Sequence, residues 1–151
     1  MKVFHPYGSK ERLFEMVRKV GGMGLNEAVL PKDKKIAVIN DFIKFVDIKL
    51  KFGKKDMPEI ILSDDEKEAQ TMHSFGKFTP ESKQIRVVIA NRNLADILRT
   101  LAHELVHYRQ YLDGVLTPKS NDTGSEHENQ ANALAGQLMR EFGKQNSIIF
   151  E

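Results

Sequence analysis

The stretch His103-Glu104-Leu105-Val106-His107 decides how the rest of this chain is interpreted, because it matches the pattern H-E-x-x-H. On a helix, residues four positions apart share one face, with their Cβ atoms about 5–6 Å apart. His103 and His107 can therefore hold one metal ion between them. Glu104 is rotated away from the pair by one residue, within reach of a water beside the metal, where it would act as a general base.

The motif is predicted to lie on an amphipathic helix that is capped at its start by Asn91 or Asn93 and stopped by Asp113-Gly114. The apolar side of this helix carries Leu94, Ile97, Leu98, Leu101, Leu105, Tyr108 and Leu112. The two histidines fall outside that stripe. The helix therefore has one side to bury in a core and a separate side for a metal site.

The segment before this helix favours a short sheet. Residues 59–62 form an apolar run bounded by turn residues and are predicted to be a strand, while the acidic residues 63–70 are predicted to be a loop or a helical turn. Residues 71–79 and 84–90 are predicted to pair as a hairpin around a turn at 80–83. The expected fold class is therefore α+β, with a short mixed or antiparallel sheet of about three strands.

Two helices are predicted in the amino-terminal part. The first runs from Ser9 to about Val20 and is followed by three glycines within residues 21–24, so that residues 1–24 could act as a helical arm. The second begins near Lys32 and is interpreted as a core helix. Its apolar stripe at helical spacing is Ile36, Ile39, Ile43, Val46 and Leu50.

Composition limits the kinds of site and partner. The length of 151 residues suits one domain, and we interpret residues 1–151 as a single domain. The chain has no cysteine, which excludes disulfides and thiolate zinc sites and leaves histidine and carboxylate as the strong ligands for zinc.

Charge and hydropathy limit the partners further. Residues 1–57 carry a net charge of +6 and residues 58–151 a net charge of −4. The lysines of the basic half are spread along predicted helices, which favours a solvated surface over a nucleic-acid site. Because there is no signal-peptide pattern and no long apolar stretch, we expect a cytoplasmic protein that does not enter a membrane.

A third ligand is expected from the last helix, which is predicted to run from Glu126 to Phe142. Glu126 and Glu128 both lie in its first turn, and His127 lies between them. Each glutamate also fits a capping box with the hydroxyl residue three positions earlier, so either could serve only to start the helix. Glu128 is preferred because Asn132 follows one turn later, where its side chain can accept a hydrogen bond from a ligating histidine. Glu126 and His127 remain alternatives.

These two motifs resemble those of the zincin metallopeptidases, in particular the glutamate-zincins or gluzincins, in which H-E-x-x-H is followed by E-x-x-x-D. Here the second motif reads E-N-Q-A-N, with Asn132 in place of the usual aspartate. The run from Glu128 to Met139, E-N-Q-A-N-A-L-A-G-Q-L-M, is similar to a segment of the ImmA/IrrE-like peptidases. The compact length is similar to that of the minigluzincins. The resemblance covers about residues 71–142.

The resemblance implies a small zincin-like domain in which the sheet packs on an active-site helix and a carboxy-terminal glutamate helix, with the catalytic core in residues 58–142. It implies one zinc ion per chain, held by His103, His107 and Glu128. It also implies a zinc metallopeptidase that hydrolyses peptide bonds, with Glu104 as the general base.

In such peptidases an extended peptide or protein substrate is expected to pair with the sheet edge above the active-site helix. In this chain that edge is expected within residues 71–79, where Gly76 permits the close approach of another backbone. His73, Tyr108 and Tyr111 are candidates for contacting the tetrahedral intermediate. Each of the three also has an ordinary structural interpretation.

Two other functions are compatible with the sequence. The same zinc could hold two helices together in a non-catalytic module that binds a partner protein, although a purely structural site needs no base such as Glu104. The lysine-rich half could bind nucleic acid, with an affinity that falls steeply with salt. A separate hypothesis is that the amphipathic segment 9–20 lies over the cleft and restrains activity.

Overall fold

The computed structural model describes residues 2–4, 31–116, 124–146 and 149. In these residues the chain forms, in order, β1 (Lys2–Phe4), α1 (Lys32–Leu50), β2 (Glu59–Ser63), α2 (Glu66–Met72), β3 (Gly76–Thr79), β4 (Gln84–Val88), α3 (Leu94–Leu112) and α4 (Glu126–Gln145). The predicted α+β class with a short sheet is confirmed. The helix predicted for residues 9–20 and the glycines that follow it lie outside the described residues.

The sheet has four strands in the order β1-β2-β4-β3. β2 and β4 are parallel and the two outer pairs are antiparallel, so the sheet is mixed. The sequence predicts about three strands, and the additional strand, β1, pairs with residues 60–62 of β2. In the described part of the chain β3 pairs only with β4, which leaves β3 at one edge of the sheet.

The hairpin between β3 and β4 is present, but its first strand begins later than predicted. Residues 71 and 72, predicted to be extended, belong to helix α2. This helix is favoured locally because the Asp65 side chain accepts a hydrogen bond from a backbone N–H of its first turn. It ends at His73, whose φ of 55° is left-handed. The extended part of the hairpin therefore starts only at Gly76.

Helix α3 is the element on which the others pack. Its cap is Asn93, whose side chain accepts a hydrogen bond from the N–H of Asp96. Its apolar side is buried as predicted, at Leu94, Ile97, Leu98, Leu101, Leu105 and Tyr108. Full burial of such side chains contributes about 1.5–3 kcal/mol each, which fixes the helix against α1, α4 and the two strands of the hairpin.

Helix α1 packs along the same core. Four of the five positions in its predicted apolar stripe are buried, and Leu50 is partly buried. Within the described residues, no helix is both long enough and apolar enough to cross a membrane.

Candidate metal centre

One ligand atom from each of His103, His107 and Glu128 lies within 4.8 Å of the others, between α3 and α4. Nε2 of His103 lies 3.1 Å from Nε2 of His107. The two oxygens of the Glu128 carboxylate each lie 3.0 Å from one of these nitrogens, Oε1 from His103 and Oε2 from His107. The imidazoles come from one face of α3, as their spacing of four predicts, and the carboxylate comes from the first turn of α4.

The spacing of these atoms fits a metal ion. In a tetrahedral zinc site with bonds of about 2.0–2.1 Å, neighbouring ligand atoms lie about 3.4 Å apart. The two histidine nitrogens are 3.1 Å apart, and each lies 3.0 Å from a different oxygen of the Glu128 carboxylate, so the distances are only slightly shorter than this value. Electron-rich atoms this close together repel one another unless a cation or a shared proton lies between them. The group can therefore hold a metal ion.

Gln110 determines which ring nitrogen of His107 carries the proton. Nδ1 of His107 lies 2.8 Å from Oε1 of Gln110. The Gln110 amide nitrogen donates to the backbone oxygen of His127 at 3.1 Å, and because that oxygen can only accept, Oε1 is the atom that faces His107. His107 therefore donates through Nδ1–H and presents the lone pair of Nε2 to the metal position.

Gln110 is a site residue that the sequence patterns do not predict. It is 3% exposed, and its amide nitrogen also donates to Oε1 of Gln130 at 2.6 Å. These bonds join α3 to the start of α4, close to Glu128. The one signal in the sequence is a polar residue three positions after His107, on the same part of the helix. Its partners on α4 depend on how the two helices meet.

His103 is more exposed than His107, with 20% of its side chain accessible against 6%. The side chain of Asn132, on the exposed side of α4, hydrogen-bonds the His103 ring, which is the contact expected of it. Burial lowers the pKa of His103, and the Glu128 carboxylate partly opposes this effect. The lowered pKa favours the neutral ring, which is the form that binds a metal ion.

Glu128 is the glutamate that reaches the histidines, whereas Glu126 and His127 lie outside the group of converging ligand atoms. Ser125 caps α4 by accepting a hydrogen bond from the N–H of Glu128 at 3.1 Å. Both oxygens of the Glu128 carboxylate face the histidines. The backbone of Glu128 thus takes part in the cap while its side chain is directed into the site.

Glu104 lies against strand β3. A Cβ atom added at Gly76 would lie 3.2 Å from Cγ of Glu104 and 2.6 Å from Cγ2 of Thr100, so this point of the strand requires glycine. The sequence predicts that Gly76 permits the close approach of another backbone, whereas the groups that approach it in the structure are side chains of α3. Burial raises the pKa of Glu104 to about 7, an effect that His107 opposes and Glu128 reinforces. The carboxylate can take up or release a proton near neutral pH.

The other three candidate residues have different environments. Tyr108 is fully buried, with its ring 5.4 Å from the rings of both Phe52 and Phe78, and so belongs to the core. His73 is exposed at the end of α2. Tyr111 is 36% exposed and packs edge-on against Phe78 of β3 at 5.6 Å. Tyr111 is therefore both accessible and in contact with the edge strand.

The centre thus combines α3, the first turn of α4 and the edge strand β3. A carboxylate that can exchange a proton lies on the same helix as two of the three converging ligand residues. No model of a known protein family, no curated protein and no solved structure matches this chain.

Proposed function

We propose that this protein is a zinc-dependent peptidase of the gluzincin type, which hydrolyses peptide bonds. The observation that supports this most directly is the placement of Glu104, whose pKa is about 7, next in the chain to one of the three ligand residues His103, His107 and Glu128. A site that only held two helices together would need no such proton acceptor.

Zinc is the proposed metal because the donors are two neutral imidazoles and one carboxylate. This ligand set suits zinc, and in catalytic zinc sites three protein ligands leave one position for water or substrate. When bound, zinc acidifies a water molecule and polarises a carbonyl group as a Lewis acid. His107 would be the most firmly oriented ligand, because Gln110 fixes both its ring and its protonation.

Glu104 would carry out the proton transfers. Its carboxylate would accept a proton from the attacking water and pass it to the leaving amine of the cleaved bond. A pKa near 7 suits both steps, because the group can hold either protonation state at neutral pH. Contact with Gly76 would keep the carboxylate close to the edge strand on which the substrate is proposed to lie.

The outer edge of β3 is the proposed site for the substrate backbone. Because the Val88 N–H donates to the oxygen of Phe75, the alternation of an antiparallel pair directs the backbone groups of Gly76 away from β4. The Ser74 hydroxyl bonds both groups, at 3.3 Å from the Gly76 nitrogen and 2.8 Å from its oxygen. A peptide that paired with β3 would replace this hydroxyl and pass beside Glu104.

Metal analysis and peptidase assays of matched variants test the proposal. We expect one zinc per chain in the wild type and in Glu104→Gln, and loss of zinc in Glu128→Ala. Glu126→Ala is the matched control, because Glu126 lies in the same turn but outside the ligand group, and it should keep its zinc. Cleavage of fluorescein-labelled casein should fall by about 10²–10⁴-fold in Glu104→Gln.

Two results would contradict the proposal in different ways. Zinc retained by Glu128→Ala would mean that another residue completes the site, and peptidase activity that survives Glu104→Gln would refute the assigned base. Zinc binding with no cleavage of casein or of a mixed peptide library would favour the alternative function, a non-catalytic zinc-stabilised module that binds a partner protein.

A further inference from the structure

A second concave site lies at the start of β3. It is a cavity of about 550 Å³ between α2, the turn before β3 and the loop that joins β4 to α3. Its wall includes Ala69, His73, Phe75, Val88, Asn91 and Arg92. The three proposed metal ligands are not part of this wall, so the cavity is distinct from the metal centre.

Arg92 brings a positive charge to the cavity. Its guanidinium group donates to the backbone oxygens of Val88 and Asp96, at 3.0 and 3.2 Å, and to the Thr100 hydroxyl at 2.8 Å. All three acceptors are neutral. The Phe75 ring lies with its centre 4.2 Å from the guanidinium carbon. Burial lowers the pKa of Arg92, as expected for a cation that is partly removed from water.

Among the described residues, no carboxylate forms an ion pair with Arg92. The carboxylate of Asp96, which is near enough to favour the charged form of Arg92, is bonded by the side chains of Asn93 and Arg99. A half-buried guanidinium that bonds only neutral oxygens keeps donors and charge available for an anion. The cavity is therefore suited to a ligand that carries a carboxylate.

Thr100 connects this charge to the metal centre. Its hydroxyl accepts from Arg92, and its methyl group packs against Gly76, which also packs against Glu104. Phe75, which covers Arg92, is the residue next to Gly76 in the chain. Because successive residues of a strand are about 3.3 Å apart, the cavity begins within one or two residues of the proposed cleavage point.

We propose that this cavity binds a carboxylate of the peptide substrate through Arg92, on the C-terminal side of the cleaved bond. The group is either an acidic side chain or the C-terminal carboxylate of the peptide. This inference rests on the proposed function, because it takes the outer edge of β3 as the substrate site. A peptide that pairs antiparallel with β3, the more stable arrangement, runs its C-terminal side toward Phe75.

Glu66 is the acidic residue on the wall of the cavity. It is exposed to solvent and accepts a hydrogen bond from the amide of Asn91. Its charge is screened by water more strongly than that of the half-buried Arg92. The cavity should therefore attract negatively charged groups, because the charge of Arg92 outweighs that of Glu66.

Peptide binding to the zinc-loaded Glu104→Gln protein tests this inference separately from catalysis. The probes are alanine-based hexapeptides with an amino-terminal fluorescein, one Phe at a fixed position, and Glu or Gln at each later position in turn. Each peptide is made with a free and with an amidated C-terminus. We expect a correctly placed carboxylate to tighten binding by about tenfold. Preference for Glu over Gln identifies a side chain, and preference for the free acid over the amide identifies the C-terminus.

Two further substitutions in this background test the cavity itself. Arg92→Gln removes the charge, and Ala69→Met fills the cavity from α2 while leaving Arg92 in place. Both should abolish the preference for a carboxylate over its neutral counterpart. Lys44→Gln removes a positive charge from an exposed position on α1 and should retain the preference.

Equal affinity for charged and neutral peptides would overturn the inference, whether or not the wild type cleaves peptides. A preference that persists in both Arg92→Gln and Ala69→Met would also overturn it, because the carboxylate would then bind elsewhere. If the wild type cleaves no peptide but the Arg92-dependent preference is present, the proposed function fails and the carboxylate site stands.

Discussion

The two sides of helix α3 place different demands on the same segment. Leu101 and Leu105, on the apolar side, are fully buried and need only to be packed against other apolar groups. His107 and Gln110, on the polar side, are nearly as deeply buried, at 4% and 3% exposure, but each needs specific hydrogen-bond partners. Gln110 bonds His107 on the same helix and two groups of α4, and His107 also meets the Glu128 carboxylate in the first turn of α4. One side of the helix therefore supplies stability, and the other supplies the geometry of a site.

A substitution on the apolar side should have the largest effect on stability. Leu101→Ala should lower the free energy of unfolding by about 2–5 kcal/mol, because it leaves a cavity in the core. Urea denaturation measures this loss. The matched control is Leu112→Ala, at a partly buried position of the same helix, which should cost less. If the folded Leu101→Ala protein bound zinc more weakly, the apolar side of α3 would also determine the geometry of the metal site.

On the polar side, replacing the Glu104 carboxylate with a neutral amide should raise the free energy of unfolding at high pH. The pKa of Glu104 is about 7 in the folded protein against an ordinary value of 4.5, so the folded protein binds more protons between these values. The stability that the folded protein gains from this stronger proton binding is fully present below pH 4.5 and is lost as the pH rises through 7. Without metal, Glu104→Gln should therefore exceed the wild type in stability above pH 7, by up to about 3 kcal/mol.

Urea denaturation at pH 5 and at pH 8, with a chelator present, measures the pH dependence of this difference. The advantage of Glu104→Gln should grow between the two values. Glu81→Gln changes an exposed glutamate in the turn between β3 and β4, and it should show no such growth. An advantage of equal size at both pH values would argue against the burial of a carboxylate as its cause.

The smallest expected effect concerns metal affinity rather than folding. Gln110→Ala removes the acceptor of the His107 Nδ1–H and should weaken zinc binding by about 10–100-fold, as measured by competition with a chelator. Gln130→Ala is the control, because it removes a partner of Gln110 without touching a ligand. Asn132→Ala should weaken binding by less than Gln110→Ala, since water can reach the more exposed His103. Equal losses of zinc affinity in Gln110→Ala and Asn132→Ala would contradict the conclusion that His107 is held more firmly than His103.

Much of the candidate site could be predicted because its geometry is local. The spacing of His103 and His107 fixes their common face once a helix is present, and the apolar stripe of α3 indicates that helix. Glu128 was preferred over its neighbours through the position of Asn132, four residues later. In each case the deciding relation spans no more than one turn of helix.

The parts that sequence did not predict depend on contacts between distant segments. Gln110 acquires its role only when α4 lies beside α3, because the backbone oxygen of His127 and the side chain of Gln130, to which its amide donates, are on α4. Strand β1 has three residues, too few for a periodic pattern, and is defined by its pairing with β2. Residues 71 and 72 lie in α2 rather than in the predicted strand, because the Asp65 cap starts a helix upstream of them.

The start of α4 should respond to metal binding differently from α3. The first turn of α4 is held by the Ser125 cap, by the bonds from Gln110 and by the Glu128 side chain, whereas α3 is held by the whole core. Loading a metal would tighten the first turn of α4 without changing the burial of α3. Amide hydrogen exchange at residues 126–130 should therefore slow on metal binding, while the protected amides of α3 stay as they are. Hydrogen exchange at the start of α4 would therefore measure metal occupancy without any substrate.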